Sequence, residues 1–436
     1  MWFKLKIWLK NPSENLWLTP ALGAIFATFF SLFATFSRYF IPSNAVPNIS
    51  IETLSSLLDI IASSMLAVTT FSLSIMVAAF ASASSSGTPR AYKLMMSDDN
   101  TRLAITSFIS AFIYAVIAKI ALGLQYYGTS GRFILFVSTI LVLIYLIYTL
   151  IRWVHTLSKL GTLTTTIDKI EQAASEALIE YRTQPNYGAT GQKPSKTPTF
   201  EVYSAKTGYL THFDIIGLEE LASTKDLHFH LNVSPGKFLD PQTPIILVYA
   251  QNHLTKEEQD SLQLQIMNKF IIEANRSFLQ DPRFGLLVMS EVGQKAMSSA
   301  INDVGSGISA INALTRILID SQPQDEVSKK DYPHMSMRQF DIKELIFGSF
   351  APMARDCVNN IELNVRMLKS LAMIQQNVPE PELKVAAEEM AINIVKRCLT
   401  QFEFEPDREI LIETFNAQFP HSSIEQANSI HLNDID

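Results

Sequence analysis

The sequence predicts an α-helical membrane protein with four transmembrane helices, followed by a cytoplasmic α+β domain that contains a small β-sandwich-like module. Three observations predict it. Leu16–Phe36, Ile60–Ala83 and Phe133–Ile151 contain no Asp, Glu, Lys or Arg, and Leu103–Leu124 contains only Lys119. Lysines and arginines flank these runs unevenly. Beyond them, an alternating stretch gives way to helical periodicity.

Each apolar run is near or above the roughly 18–20 residues that a helix needs to cross a bilayer. Backbone amides in lipid must find partners within the segment, so such runs are helical. The spans are expected at about 16–38, 54–84, 103–126 and 133–153, within a transmembrane domain of residues 1–155. The mean hydropathy of +0.15 averages over this split. A net charge of -7 argues against attraction to nucleic acid. The bilayer is the expected partner.

Orientation follows from the flanking cations. Lys4, Lys6, Lys10, Arg90, Lys93, Arg102, Arg152 and Lys159 lie on one side, and only Arg38 and Arg132 on the other. Both termini are therefore expected inside. The first run is too long for the core of a cleaved signal peptide. Met1–Lys10 reads equally well as an interfacial segment or as the start of the first helix. Tyr39, Tyr126, Tyr127 and Trp153 stand at span ends, where aromatic belts belong.

The second span differs from the others. Asp59, Ser63, Ala67, Thr70, Ser74, Ala78 and Ser82 follow a spacing of three and four that puts them on one slowly winding stripe. Ile61, Met65, Val68, Ile75 and Met76 take the opposite side. For a single small or hydroxyl residue, packing between helices is the commoner role. The whole stripe favours lining a wet path, with one such helix per subunit around an oligomer axis. Asp59, Ser63, Thr70, Ser74 and Ser82 are the candidate pore-lining residues. Asp59 would stand near the outer mouth and Arg90 beyond the inner one. Lys119, roughly 24 Å along its helix from Leu103 at 1.5 Å per residue, is expected to snorkel to the outer interface rather than pair with Asp59.

Residues 156–198 read as a connecting helix, with an apolar face over Thr162–Arg182, and a linker at Thr183–Thr197. Residues 199–252 form the β-rich module. Leu227, Phe229, Leu231 and Val233 alternate with His228, His230 and Asn232, as in a half-buried strand. The layout GYLTHFD…PGKFLDPQTPIILVY resembles half of a lipoyl/biotinyl-type barrel-sandwich, without the modified lysine of that family. His228 and His230 share a strand face and could bind a metal, although solvent-facing histidines are commoner; no metal site is assigned. Residues 253–420 are expected to be helical, over Lys256–Phe278, Phe284–Ala300, Ile308–Ile319, Ile342–Ile374, Glu380–Cys398 and Arg408–Ala417. A polar tail fills 421–436. Cys357 and Cys398 lack CxxC spacing and read as buried thiols.

The Ser-rich second span ending before SSGTPR, then GYLTHFD, then QDPRFGL…AMSSAINDVGSG together resemble the DUF2254 family of bacterial predicted membrane proteins, from about Leu16 to about Ile374. Thr88-Pro89-Arg90 matches two of the three residues of a Ser-Pro-Arg that usually follows the second span. Ala296-Met297-Ser298-Ser299 and Asn302-Asp303-Val304 lack the two prolines usual there. The resemblance implies topology and architecture, and a multi-pass protein of the bacterial inner membrane.

No GxSxG, HExxH, P-loop or GxGxxG is present. No catalytic residue and no cofactor are therefore expected. Asn302 and Asp303, beside small residues, could form an active-site corner, but capping explains them equally well, and the role assigned to them is structural or gate-coupling. Two functions remain. One is a homo-oligomeric ion channel or pore-type transport protein with a cytoplasmic gating and assembly domain, passing an inorganic ion. The other is a membrane-anchored sensor or scaffold whose domain binds a ligand or protein.

Overall fold

A computed structural model describes residues 21–25, 28–29, 46–96, 99–323 and 330–422. The chain divides into two compact units, with the boundary between Thr166 and Ile167.

In the N-terminal unit three helices among the described residues are long and apolar enough to cross a membrane. They are α1 (Ile51–Ser86), α3 (Asp99–Gly123) and α4 (Thr129–Leu157), with the short α2 (Tyr92–Met96) between the first two. Most of the first apolar run, the Met1–Lys10 segment and the cations Lys4, Lys6, Lys10 and Arg38 lie outside the described residues, although residues 21–25 are helical.

Ser50 caps α1 by accepting from the Thr53 amide at 3.1 Å, leaving fewer orphan N–H groups at the helix start. Leu54, Leu58, Ile61 and Met65 recur at three- and four-residue spacing and pack on Phe108, Ala111, Ala115 and Ala118 of α3. The run of alanines on α3 lets the two backbones approach closely, which matters where lipid offers no hydrophobic drive for association. Between α3 and α4, the Tyr114 hydroxyl meets Ser138 Oγ at 2.6 Å and Thr139 Oγ1 at 3.2 Å. Arg132 donates to Asn48 at one end of this bundle and Arg152 donates to Asn100 at the other.

The second unit opens with the remainder of α5 (Leu163–Thr183). Among the described residues its strands form two small sheets. A mixed sheet has the order β1 (Phe200–Tyr203), β5 (Pro244–Ala250), β3 (Leu227–Leu231), β7 (Met335–Met337), with β3 and β7 parallel. An antiparallel sheet has the order β4 (Phe238–Leu239), β2 (Gly208–Phe213), β6 (Phe270–Glu273). The helix α6 (Ile215–Thr224) interrupts the expected half barrel-sandwich, and two of its strands come from beyond residue 252. The alternation read at Leu227–Val233 is the central strand β3, whose Phe229 and Leu231 are fully buried.

The other elements are helices α7 (Lys256–Met267), α8 (Pro282–Ala296), α9 (Val304–Asp320), α10 (Glu344–Asp356), α11 (Ile361–Asn377), α12 (Pro381–Leu399) and α13 (Glu405–Gln418). Two expectations differ here. The helix expected over Lys256–Phe278 stops at Met267. Phe270-Ile271-Ile272 then pairs with β2, where the buried Phe270 stacks on Phe213. The helix expected over Ile342–Ile374 breaks at Cys357–Asn360, where Asn360 starts α11 by accepting from the Leu363 amide at 2.9 Å. The segment Thr183–Thr197, read as a linker, is tied down. A turn at Pro185–Gly188 holds Asn186 and Tyr187 left-handed, and the Gly191 amide donates to the Met335 carbonyl at 2.8 Å. The tail beyond Ser422 lies outside the described residues.

Candidate functional site

Helix α1 has two chemically different sides, and burial separates them as the spacing predicts. Ile61, Met65 and Met76 are buried, while Val68 and Ile75 are partly so. Asp59, Ser63, Ala67, Thr70, Ser74, Ala78 and Ser82 are all exposed among the described residues. Large apolar side chains, Ile60, Leu66, Phe71, Leu73 and Val77, border the stripe.

The hydroxyls of the stripe turn inward to the backbone. Ser63 Oγ donates to the Asp59 carbonyl at 2.7 Å, Thr70 Oγ1 to Ala67 at 2.9 Å and Ser74 Oγ to Thr70 at 3.0 Å. A hydroxyl has one proton and two lone pairs, so each such bond leaves acceptor capacity facing outward. The stripe is thus a ladder of oxygen acceptors on an apolar helix. At its end Ser82 Oγ donates to the Gly161 carbonyl at 3.2 Å. Gly161 has φ +79° and lies so close to α1 that a Cβ would come 2.9 Å from the Ala79 carbonyl oxygen. Only glycine fits that approach.

At the other end the structure departs from expectation. Lys119 Nζ donates to Asp59 Oδ1, forming an ion pair between α3 and α1 with both side chains about half exposed. Snorkelling alone misses this partner, because depth along each helix was legible but the facing of α1 and α3 was not. Arg90 is exposed in the turn after α1, where its amide donates to Thr88 Oγ1 at 3.4 Å.

Asn302 and Asp303 belong to the other unit. Asn302 is left-handed at φ +46°. Asp303 caps α9, with Oδ1 accepting from the Ser306 amide at 3.1 Å and Oδ2 from Ser306 Oγ at 2.6 Å. The Ser306 hydroxyl, helped by the backbone amides, holds this carboxyl below its usual range.

The motif QDPRFG builds a buried ionic staple that carries no role in the sequence reading. Asp281, almost fully buried, caps α8 and accepts from Arg276 and Arg283. Arg283 also donates to Glu344 at 2.7 Å and to the Pro235 carbonyl at 2.7 Å, and its guanidinium lies over the Phe340 ring. A narrow crevice beside it is lined by Tyr181, Tyr187, Met337 and Phe340. Every guanidinium nitrogen of Arg283 already donates to the protein, so the cluster is a clamp among β-module, α8 and α10. Its signal in the sequence is the Asp-Pro pair, a cap followed by proline in the first turn.

His228 and His230 are not both solvent-facing, for His230 is buried and both rings meet Ser336. Among the described residues no group of three His, Cys, Asp or Glu side chains could hold a metal ion. Cys357 and Cys398 are buried free thiols, each pushed up to about 12 by burial. A family model described as Predicted membrane protein (DUF2254) matches residues 13–373. No curated protein and no solved structure matches the chain.

Proposed function

The chain belongs to the DUF2254 family of predicted membrane proteins, and on that footing we propose that it is a homo-oligomeric, pore-type transport protein for a small inorganic ion. The reading places it in the bacterial inner membrane with four spans and both termini in the cytoplasm. It assigns the C-terminal unit to gating and assembly, and no catalysis to the chain.

One observation carries the reading. The seven-residue stripe of α1 is exposed from Asp59 to Ser82 while the opposite side of the same helix is packed on α3. The stripe's hydroxyl protons are used within the protein, and its outward lone pairs find donors only where protein or water faces them, since lipid offers none. A second copy around a closed axis supplies both a packing surface and a wet centre. The outward lone pairs of Ser63, Thr70 and Ser74 suit a cation, which can exchange hydration water for hydroxyl oxygens. The apolar shoulders keep such a path narrow.

Current across planar bilayers containing the purified protein tests this. Discrete steps that favour cations are expected. No current under voltage, tension or osmotic downshock, with the oligomer intact, would return the stripe to plain packing. The chain would then be a membrane-anchored sensor or scaffold.

A further inference from the structure

The short strand β7 is held on one side by β3 and on the other by residues 184–191. It closes one edge of the mixed sheet through a three-residue parallel pairing with β3, a weaker ladder per residue than an antiparallel one. Its outer side is covered by residues 184–191. The Tyr332 amide donates to the Gly188 carbonyl at 2.9 Å and the Gly191 amide to the Met335 carbonyl at 2.8 Å. A Cβ at Gly191 would lie 2.6 Å from His228 Cε1, so this strap runs directly over the ring.

Between these layers, two imidazoles converge on one hydroxyl. His228 Nε2 lies 2.8 Å and His230 Nδ1 2.9 Å from Ser336 Oγ. The serine has one proton to give, so it donates to one ring and accepts an N–H from the other. That pair of bonds requires at least one neutral ring. With both rings protonated, two N–H groups point at one oxygen, the serine proton loses its acceptor, and two cations share one strand face.

We propose that β3, β7 and the strap form an acid-sensitive latch, in which protonation of His228 and His230 releases Ser336 and with it β7 and residues 184–191. The surroundings favour the neutral rings. Burial acts first on both histidines. Lys193 from the segment after the strap and the neighbouring His228 then oppose a charge on His230, which is pulled down to about 4. His334, just before β7, opposes a charge on His228. Glu219 of α6 favours that charge, yet its carboxylate is already bonded by His334 Nδ1 at 2.7 Å and by the His334 amide. From β5, Tyr249 stands edge-on to His228 and Leu247 lies opposite His230, so that strand brings no charge.

The sign follows from proton counting. An opened latch lets the imidazoles titrate near 6.5, while the closed latch holds His230 neutral to about 4. Between those values the open state binds more protons. The latch is therefore at full strength above about pH 6.5 and weakens as pH falls towards 4. For His230 alone, opening becomes about thirty-fold more favourable at pH 5 than at pH 7.5.

Hydrogen exchange on the full-length protein in nanodiscs, expressed as protection relative to intrinsic rates at pH 7.5 and 5.0, reads this directly. The amides of Gly191, Tyr332 and Arg338 are expected to lose about thirty-fold protection at the lower pH, while the β1–β5 amides hold theirs. His228→Gln with His230→Gln should abolish the difference between the two pH values. Ser336→Ala should lower protection of the same amides already at pH 7.5. Equal protection at both pH values in the parent overturns the proposal. So does an unchanged pH effect in the double glutamine variant or, should that variant fail to fold, unchanged protection at pH 7.5 in Ser336→Ala.

Discussion

Asp59 and Lys119 form a charge pair within the apolar unit, and the pair changes what each can do. An unpaired Asp59 would gather cations at a pore mouth, whereas a paired one is largely neutralised. Asp59→Asn therefore leaves Lys119 as an uncompensated cation and is expected to lower cation conductance more than removal of both charges does. Recording Asp59→Asn beside the Asp59→Asn, Lys119→Met double variant checks this, and equal conductances would show that the pair carries no weight. Asp303 makes a simpler case, since its carboxylate serves the first turn of α9. Asp303→Ala should lower the thermal midpoint by a few degrees, while Asp303→Asn and Asp303→Ser keep most of the stability because they still cap. Loss of a measurable turnover in Asp303→Ala with an unchanged midpoint would contradict the structural role. Tyr114→Phe removes a hydroxyl shared by Ser138 and Thr139, both of which also bond to the Leu135 carbonyl. The expected cost is about 0.6 kcal/mol, readable as a shift in reversible unfolding in detergent.

At the scale of elements, α1 is the helix to test. Thr70→Leu or Ser74→Leu replaces an outward oxygen acceptor with apolar bulk and should close a narrow wet path by dewetting. Neither side chain supports the packing on α3, so folding should be untouched. Wild-type conductance in both variants would remove α1 from the path. The two sides of α1 were legible in the sequence because helical spacing sorts residues by direction without knowledge of the neighbour. Their partners were not legible. The Asp59–Lys119 pair joins residues on different helices, and nothing local to either side chain announces the other. The β-module shows the same limit. Strand β3 was readable from its alternation, but β6 looked like the end of a helix and β7 fell between two expected helices. Both gain their strand form from pairing with residues more than fifty positions away. The QDPRFG run was recognisable as a motif, and only the fold brings Arg276, Arg283 and Glu344 around Asp281.

For the whole molecule, the proposed topology and assembly make separable predictions. Maleimide added from outside should label Asn48→Cys, and should reach Lys159→Cys only after permeabilisation. The reverse pattern overturns the orientation drawn from eight inner against two outer cations. Cysteines at Ser74 and at Ala78 should cross-link between copies in native membranes, and a monomer there would remove the oligomer. The sequence by itself determined that the chain enters a membrane, where α1, α3 and α4 run, which side of α1 is polar, and which family it belongs to. The membrane spans and the polar side of α1 rest on composition and spacing within single segments, where each residue's contribution is set by its own chemistry, while the family rests on motifs spread along most of the chain. Only the tertiary structure decided that Lys119 meets Asp59, that Asp281 is a buried ionic hub, that residues 184–191 are a strap rather than a linker, and that two histidines share one serine. Each of these depends on which segments pack together, and that choice belongs to the balance of the whole core.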